Sequence, residues 1–319
     1  MTEASRNPLV SVVVCVFNGE EFLKETLGSA LAQTHERLEL VVVDDGSSDG
    51  SVALVEGHAD PRISLLRQEH GGAACALAAG LGRARGEYIA FLDQDDLWER
   101  DKLATHVERM RGRPEIDLTF SWFRYIDSSG QDIGRGSIRY RGTIDFRGLL
   151  TDFVIGATSN VVARRAAIGA AGGVDTAFPR VYDLDLFLRI ARLAPENMEA
   201  IPRYLMRYRR HDEQITRDSS TLEREWEQVV AKMRLIAPAD VEAVLGAARM
   251  NVSRFFARLA YEQRCYGQAL RYVARGFSSS PARFVADGRN WLAGAACLSG
   301  LLLTPALHRG LERMAGLKR

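Results

Sequence analysis

Asp93, Asp95 and Asp96 fall within four residues in the stretch EYIAFLDQDDLW, Glu87 to Trp98. Three carboxylates held this closely repel one another, and a divalent cation offsets the repulsion. One or two carboxylates completed by a substrate's phosphate oxygens form the shell that Mg²⁺ or Mn²⁺ takes with nucleotides. The competing reading is a solvated acidic turn in which Asp96 caps a helix starting near Leu97. A second acidic turn, Asp44 to Gly50 (DDGSSDG), is either a ligand edge or a turn that Asp and Gly form for backbone reasons alone. Asp183 and Asp185 flank Leu184 in YDLDLFLR. Residues two apart on a helix point to different sides, so only one of them can serve a given hydroxyl. Asp183 falls at a helix start, as cap or first-turn residue, where backbone amides and the dipole favour an ionised carboxylate. Asp185 stands four residues before Arg189, a suitable ion-pair partner. His211 follows Arg207, Arg209 and Arg210 and is either a metal or diphosphate contact or part of a solvated basic run.

These residues need a scaffold that brings them to one edge. Val10 to Phe17 reads as a β-branched central strand, and Asn18 with Glu21 forms a capping-box pattern before the apolar face of Phe22, Leu23, Leu27, Ala30 and Leu31. A strand over Leu38 to Val43 follows, then a helix over Val52 to His58, a strand over Ile63 to Leu66, a helix over Ala73 to Arg85 and a strand over Tyr88 to Leu92. Repeated strand and helix units predict parallel neighbours whose carboxyl ends, at Phe17, Asp45 and Asp93, lie on one edge, where open α/β sheets bind ligands. Neither GxxxxGK[ST] nor GxGxxG is present, which argues against a P-loop enzyme and a dinucleotide dehydrogenase. Further on, Ile116 to Phe123 and Thr158 to Ala163 read as strands, and Gly172 to Asp175 as a turn. Val252 to Pro281 resembles a single tetratricopeptide hairpin.

At 319 residues and 46% hydrophobic content the chain is an ordinary globular protein. Its four cysteines are scattered without metal or disulfide spacing, and no signal peptide is visible, so a cytoplasmic location is expected. Residues 1–202 carry 22 basic and 30 acidic side chains, whereas 203–319 carry 20 and 11. A basic tail suits an anionic surface. The uncharged stretch 290–307, flanked by arginines, predicts peripheral contact with the inner face of a membrane through 283–319 rather than a span, the competing reading being a terminal helix buried against the protein.

VSVVVCVFNGEEFLKETLGSALAQT, LELVVVDDGSSDGS and GEYIAFLDQDDLW, in this order and spacing, resemble the signature blocks of family 2 glycosyltransferases over roughly residues 9–212. The resemblance implies a GT-A fold, an open and mostly parallel α/β sheet flanked by helices, in a domain over 1–212 with a helical region over 213–319. It implies inverting transfer of a sugar from a nucleotide diphosphate donor to a sugar or lipid-linked acceptor in cell-surface polysaccharide or glycolipid synthesis, with no nucleic acid involved. By position, Phe17 and Asp45 would hold the base, Asp93 and Asp95 with Asp96 beside them the ribose and diphosphate, and Asp93, Asp95 and His211 the Mn²⁺ or Mg²⁺. Asp183 would be the catalytic base. The chain departs from the family pattern at Leu77 and Ala78, where an Arg-Asn pair is usual, at Tyr182, where a glutamate is usual, and at Cys15, in place of proline. Two other readings are a sugar-phosphate nucleotidyltransferase and a nucleotide-sugar-binding scaffold without catalysis.

Overall fold

Five of the seven residues of β1 (Val10–Val16) are valine, stiff at χ1 and suited to a pleated backbone. In the computed structural model, which describes residues 7–211 and 219–302, this strand lies in the middle of the first half of the sheet. It pairs in parallel with β2 (Leu38–Asp44) on one side and β4 (Tyr88–Asp93) on the other. Val16 lies opposite Asp44 and Cys15 opposite Asp93, so the register alone brings the acidic ends of β2 and β4 to one edge. Burial on both faces explains why these strands read as continuous apolar runs.

Between β1 and β2 runs α1 (Glu20–Leu31), which buries Phe22, Leu23, Leu27 and Ala30. Asn18 does not cap it. The cap position is Gly19, without a side-chain bond, while Asn18 takes a left-handed backbone with φ 49°. Its Oδ1 instead accepts the Ser48 N–H at 2.9 Å. The expected capping box is thus replaced by a cross-link, because the turn after β2 offers unpaired amides that the Asn18 amide can reach. The chain continues through α2 (Ser51–Glu56), β3 (Ile63–Arg67), α3 (Ala73–Arg83), β4 and the short β5 (Leu97–Trp98) to α4 (Lys102–Gly112). No helix begins at Leu97. Leu97 and Trp98 pair antiparallel with Arg207 and Met206, so Asp96 is not a helix cap.

Then come β6 (Leu118–Ile126), β7 (Asp132–Gly136), β8 (Gly142–Ile144), α5 (Phe146–Thr151), β9 (Val161–Arg164), α6 (Arg165–Ala170), α7 (Tyr182–Ala191) and β10 (Met198–Arg209). The ten-stranded sheet has the order β3-β2-β1-β4-β9-β6-β10-β5, with β7 against β6 and β8 against β10. Parallel pairing holds for β1 to β4 and for β6 with β10, whereas β9 is inserted antiparallel between β4 and β6. This reversal matters for the site. β9 enters from the carboxyl edge of β4, which sets the single 3₁₀ turn before it, Thr158–Asn160, beside Asp93.

The chain divides into two compact units, residues 1–146 with 153–212, and residues 147–152 with 213–319. The second is helical, with α8 (Ser219–Ile236), α9 (Pro238–Glu262), α10 (Tyr266–Ser279), α11 (Pro281–Ala286) and α12 (Gly288–Leu302). Trp226, Val229, Val230, Met233, Val241, Phe256 and Ala260 form its interior. The hairpin expected over Val252 to Pro281 is part of α9 and α10, but α9 starts at Pro238, whose fixed φ suits a first turn. No helix among the described residues is long and apolar enough to cross a membrane. Of the apolar stretch 290–307, residues after 302 lie outside the described part.

Candidate active site

Each acidic edge residue is held by a different neighbour. The Asp93 N–H donates to Ser159 Oγ at 2.8 Å, so the turn ahead of β9 fixes the end of β4. Burial first, and then the neighbouring Asp95 charge, pushes the Asp93 carboxyl up to about 7. Asp96 is 2% exposed and is raised well above the ordinary carboxylate range by burial and by Asp95 and Asp93. His211 Nε2 lies 2.7 Å from Asp95 Oδ2. Among the described residues, no three His, Cys, Asp or Glu side chains converge into a ready cage. Carboxylate oxygens such as those of Asp93 and Asp95 are the donor type that a hard divalent ion takes.

Arg209 organises this loop from beneath. It is 1% exposed, and its Nε donates to the Asp95 carbonyl at 2.9 Å, its Nη1 to the Ser128 carbonyl at 2.8 Å and its Nη2 to Glu25 Oε2 at 2.7 Å. Its backbone N–H donates to Asp96 Oδ1 at 3.0 Å, and its guanidinium lies over the Phe22 ring. Arg209 is thus no solvated member of a basic run. Arg207 keeps that character, pairing at 2.8 Å with a part-exposed Glu99.

Gln94, the middle residue of the Asp93 to Asp95 triplet, ties the acidic loop to the end of β1. Its Oε1 accepts the Phe17 N–H at 2.8 Å and its Nε2 donates to the Phe17 carbonyl at 3.1 Å, much as a β-ladder partner would. The Phe17 ring, 41% exposed, stacks on His70 with centroids 4.1 Å apart. Asp45 is 2% exposed. Its carboxylate accepts from Gln68 Nε2 at 2.7 Å, the Gly71 N–H at 2.9 Å and the Gly72 N–H at 2.8 Å, and lies 2.9 Å from His70 Nδ1. Asp45 thereby anchors the 68–72 segment against the aromatic face. Gly46, at φ 80°, belongs to the same arrangement, because a Cβ there would crowd the His70 backbone nitrogen at 3.0 Å.

Asp183 lies within the first turn of α7, two residues after the cap position Val181, and not at the cap itself. Its Oδ1 accepts the Leu184 N–H at 2.7 Å, and Thr158 Oγ1 lies 3.5 Å from its Oδ2. Burial outweighs these contacts and pushes the carboxyl up to about 6. Asp183 also contributes to the raised Asp93 carboxyl, so the two acids share one electrostatic field. Asp185 is fully buried and accepts Arg189 Nε at 2.9 Å. Burial, with Asp93 and Asp183 nearby, raises the Tyr182 phenol well above its usual value. Leu77 is buried in α3, and Trp98 donates its indole N–H to the Ser159 carbonyl at 2.9 Å as part of the core.

Ser159, Gln94, Arg209 and His70 escaped the sequence reading. Gln94 carried a usable signal, since it sits inside the aspartate triplet. Ser159 and Arg209 gain their places from the inserted β9 and from a buried run that looks basic and exposed in sequence.

A family profile described as "Glycosyl transferase family 2" matches residues 11–170. The chain belongs to that family. The putative teichuronic acid biosynthesis glycosyltransferase TuaG of Bacillus subtilis is 32% identical over 160 residues, 49% of this chain and 63% of the relative. The chain spans 35% of the length of two other curated relatives, both uncharacterized glycosyltransferases of Rickettsia species. Among solved structures, S. aureus TarS 1-349 in complex with UDP-GlcNAc is similar with TM-score 0.64 and 14% identity, covering 90% of each chain. The mannosyltransferase PcManGT from Pyrobaculum calidifontis in complex with GDP-Man and Mn²⁺ gives TM-score 0.55 and 20% identity, over 97% of this chain and 84% of that one. These likenesses show the GT-A fold.

Proposed function

We propose that the chain is an inverting, metal-dependent glycosyltransferase that passes a sugar from a nucleotide diphosphate donor to an acceptor hydroxyl in cell-surface polysaccharide or glycolipid synthesis. The observation that supports this reading is that the single turn Thr158–Asn160 touches both acids: Ser159 Oγ accepts the Asp93 N–H at 2.8 Å, and Thr158 Oγ1 lies 3.5 Å from Asp183 Oδ2. Phe17 offers an exposed ring for the nucleobase, with Asp45 bonded to the His70 segment that stacks on it, and Asp93 and Asp95, with the buried Asp96 beside them, would take the ribose and diphosphate. Mn²⁺ or Mg²⁺, held by Asp93, Asp95 and His211, would supply positive charge to the leaving diphosphate. Asp183 takes the proton from the acceptor hydroxyl as that oxygen bonds to the anomeric carbon, and the bond from that carbon to the diphosphate oxygen breaks on the opposite face. A single displacement of this kind inverts the anomeric centre.

TuaG, named for teichuronic acid biosynthesis, and the structures bound to UDP-GlcNAc and GDP-Man support a nucleotide-sugar donor and a surface-polymer product. In this reading residues 1–212 bind donor and acceptor, and the helical region 213–319 gives peripheral membrane contact through 283–319 on the cytoplasmic side. A nucleotidyltransferase would want a basic, glycine-rich loop after β1. Instead Asn18-Gly19-Glu20-Glu21 follows, with Glu20 Oε2 accepting the Gly50 N–H at 2.8 Å. The scaffold reading draws on Leu77, Ala78 and Tyr182. A panel of nucleotide sugars with Mn²⁺ or Mg²⁺, scored for released nucleoside diphosphate, separates the readings. A transferase releases it from at least one donor, and faster with acceptor present. Binding of a donor without release over the whole panel would favour the scaffold.

A further inference from the structure

The helix α12 is built inside out. Its buried residues are Asn290 and Cys297, and its close approaches are made by glycines: Gly294 lies near Val273 of α10, and any side chain at Gly300 would run into the Tyr266 ring. The large apolar residues point the other way. Trp291 is 56% exposed, Leu292 71%, Leu298 47%, Leu301 56% and Leu302 76%. No charged residue occurs from Asn290 to Leu302, so the outward face carries none of the charged side chains that a water-facing helix normally presents. Trp291, Leu298 and Leu302 fall within about 40° of one another around the helix and form one stripe, with Leu292 and Leu301 at its two sides.

Charge selects the occupant of that stripe. From residue 243 to 319 there are twelve lysines and arginines against three acids. Arg289 opens α12 with its side chain 58% exposed while paired with Asp287 at 2.6 Å, and Arg283 lies exposed in α11 just ahead. A second copy of so basic a unit would bring like charges together, whereas anionic headgroups complement them. The fifteen described residues of α12 reach about 22 Å, long enough to lie in the surface of a bilayer.

We propose that α12 is an interfacial anchor for anionic lipid, with Trp291, Leu292, Leu298, Leu301 and Leu302 in the acyl boundary and Arg289 at headgroup phosphates. This rests on the peripheral contact proposed above and assigns it a face and a lipid class. It does not depend on the transfer chemistry.

The test uses the full chain with vesicles of phosphatidylcholine alone or mixed with phosphatidylglycerol. The parent should sediment with the mixed vesicles and lose much of that binding in high salt. A double variant, Leu292→Gln with Leu298→Gln, should bind at least about 10-fold more weakly at the parent's melting temperature, because both positions are exposed. Independently of any variant's folding, brominated lipid in the mixed vesicles should quench parent fluorescence more than that of Trp291→Phe. Donor turnover with a soluble acceptor, run alongside, should be the same for the parent and the double variant, so loss of binding and loss of activity read separately. The proposal is overturned if the parent ignores mixed vesicles, or if the double variant binds them like the parent. It is equally overturned if the parent is a dimer that the substitutions dissociate while lipid binding stays unchanged, which would assign the face to a second copy.

Discussion

A general base works best when its pKa lies close to the working pH, and Asp183 is set at about 6 because burial outweighs the Leu184 N–H it accepts. The active form is the ionised one, so kcat/KM for transfer should rise with pH through about 6 and level off above it. A flat profile across that range would remove Asp183 from the role. Asp183→Asn should keep donor affinity and lower transfer by at least about 10²-fold, measured by calorimetry and by product formation. Asp185→Asn should act differently, through stability. Asp185 is fully buried against Arg189, and breaking such a pair costs about 3 kcal/mol or more, seen as a lower melting temperature. The sequence placed both acids at the start of one helix and paired Asp185 with Arg189, because i, i+4 spacing is visible in a string of letters. It expected the helix terminus to hold Asp183 firmly ionised. That direction was not legible, since the burial that wins comes from elements far along the chain.

At the scale of elements, strands and their ends were legible because buried parallel strands leave long apolar runs that stop at Asp or Asn. The loops were not. Asn18 looked like a cap and became a cross-link to Ser48, and Arg209 looked solvated and became the buried support of the Asp95 and Asp96 loop. Both depend on segments that meet only after folding. The Gln94 amide joins that loop to Phe17 through two hydrogen bonds, each worth about 1 kcal/mol. Gln94→Ala should therefore raise the dissociation constant for donor about 10-fold in calorimetry while leaving the second unit's stability alone. Unchanged donor affinity would mean that the two loops act independently. Arg209→Ala leaves the Asp95 and Ser128 carbonyls without their buried donor and should destabilise the fold by about 2 kcal/mol, read as a lower melting temperature.

At the scale of the whole molecule, the acidic and basic halves seen in the sequence correspond to a sheet edge crowded with carboxylates and a helical unit rich in arginine. The crowding has a thermodynamic signature. A carboxyl raised from 3.8 to about 7, as at Asp93, binds its proton more tightly folded than unfolded. Its contribution to stability is present at low pH and is lost as pH rises toward 7. In the proposed function a divalent cation would replace the proton, so Mn²⁺ should raise the melting temperature more at pH 8 than at pH 5, and an equal rise at both would contradict a metal at this edge. The central claim is that these residues perform one displacement across one site. Nuclear magnetic resonance of the product made by the parent chain, from whichever nucleotide sugar it turns over, reads that directly. A single displacement gives a new glycosidic bond of inverted anomeric configuration, formed with Mn²⁺ or Mg²⁺ and not with chelator, and a product that retains the donor's configuration would contradict it.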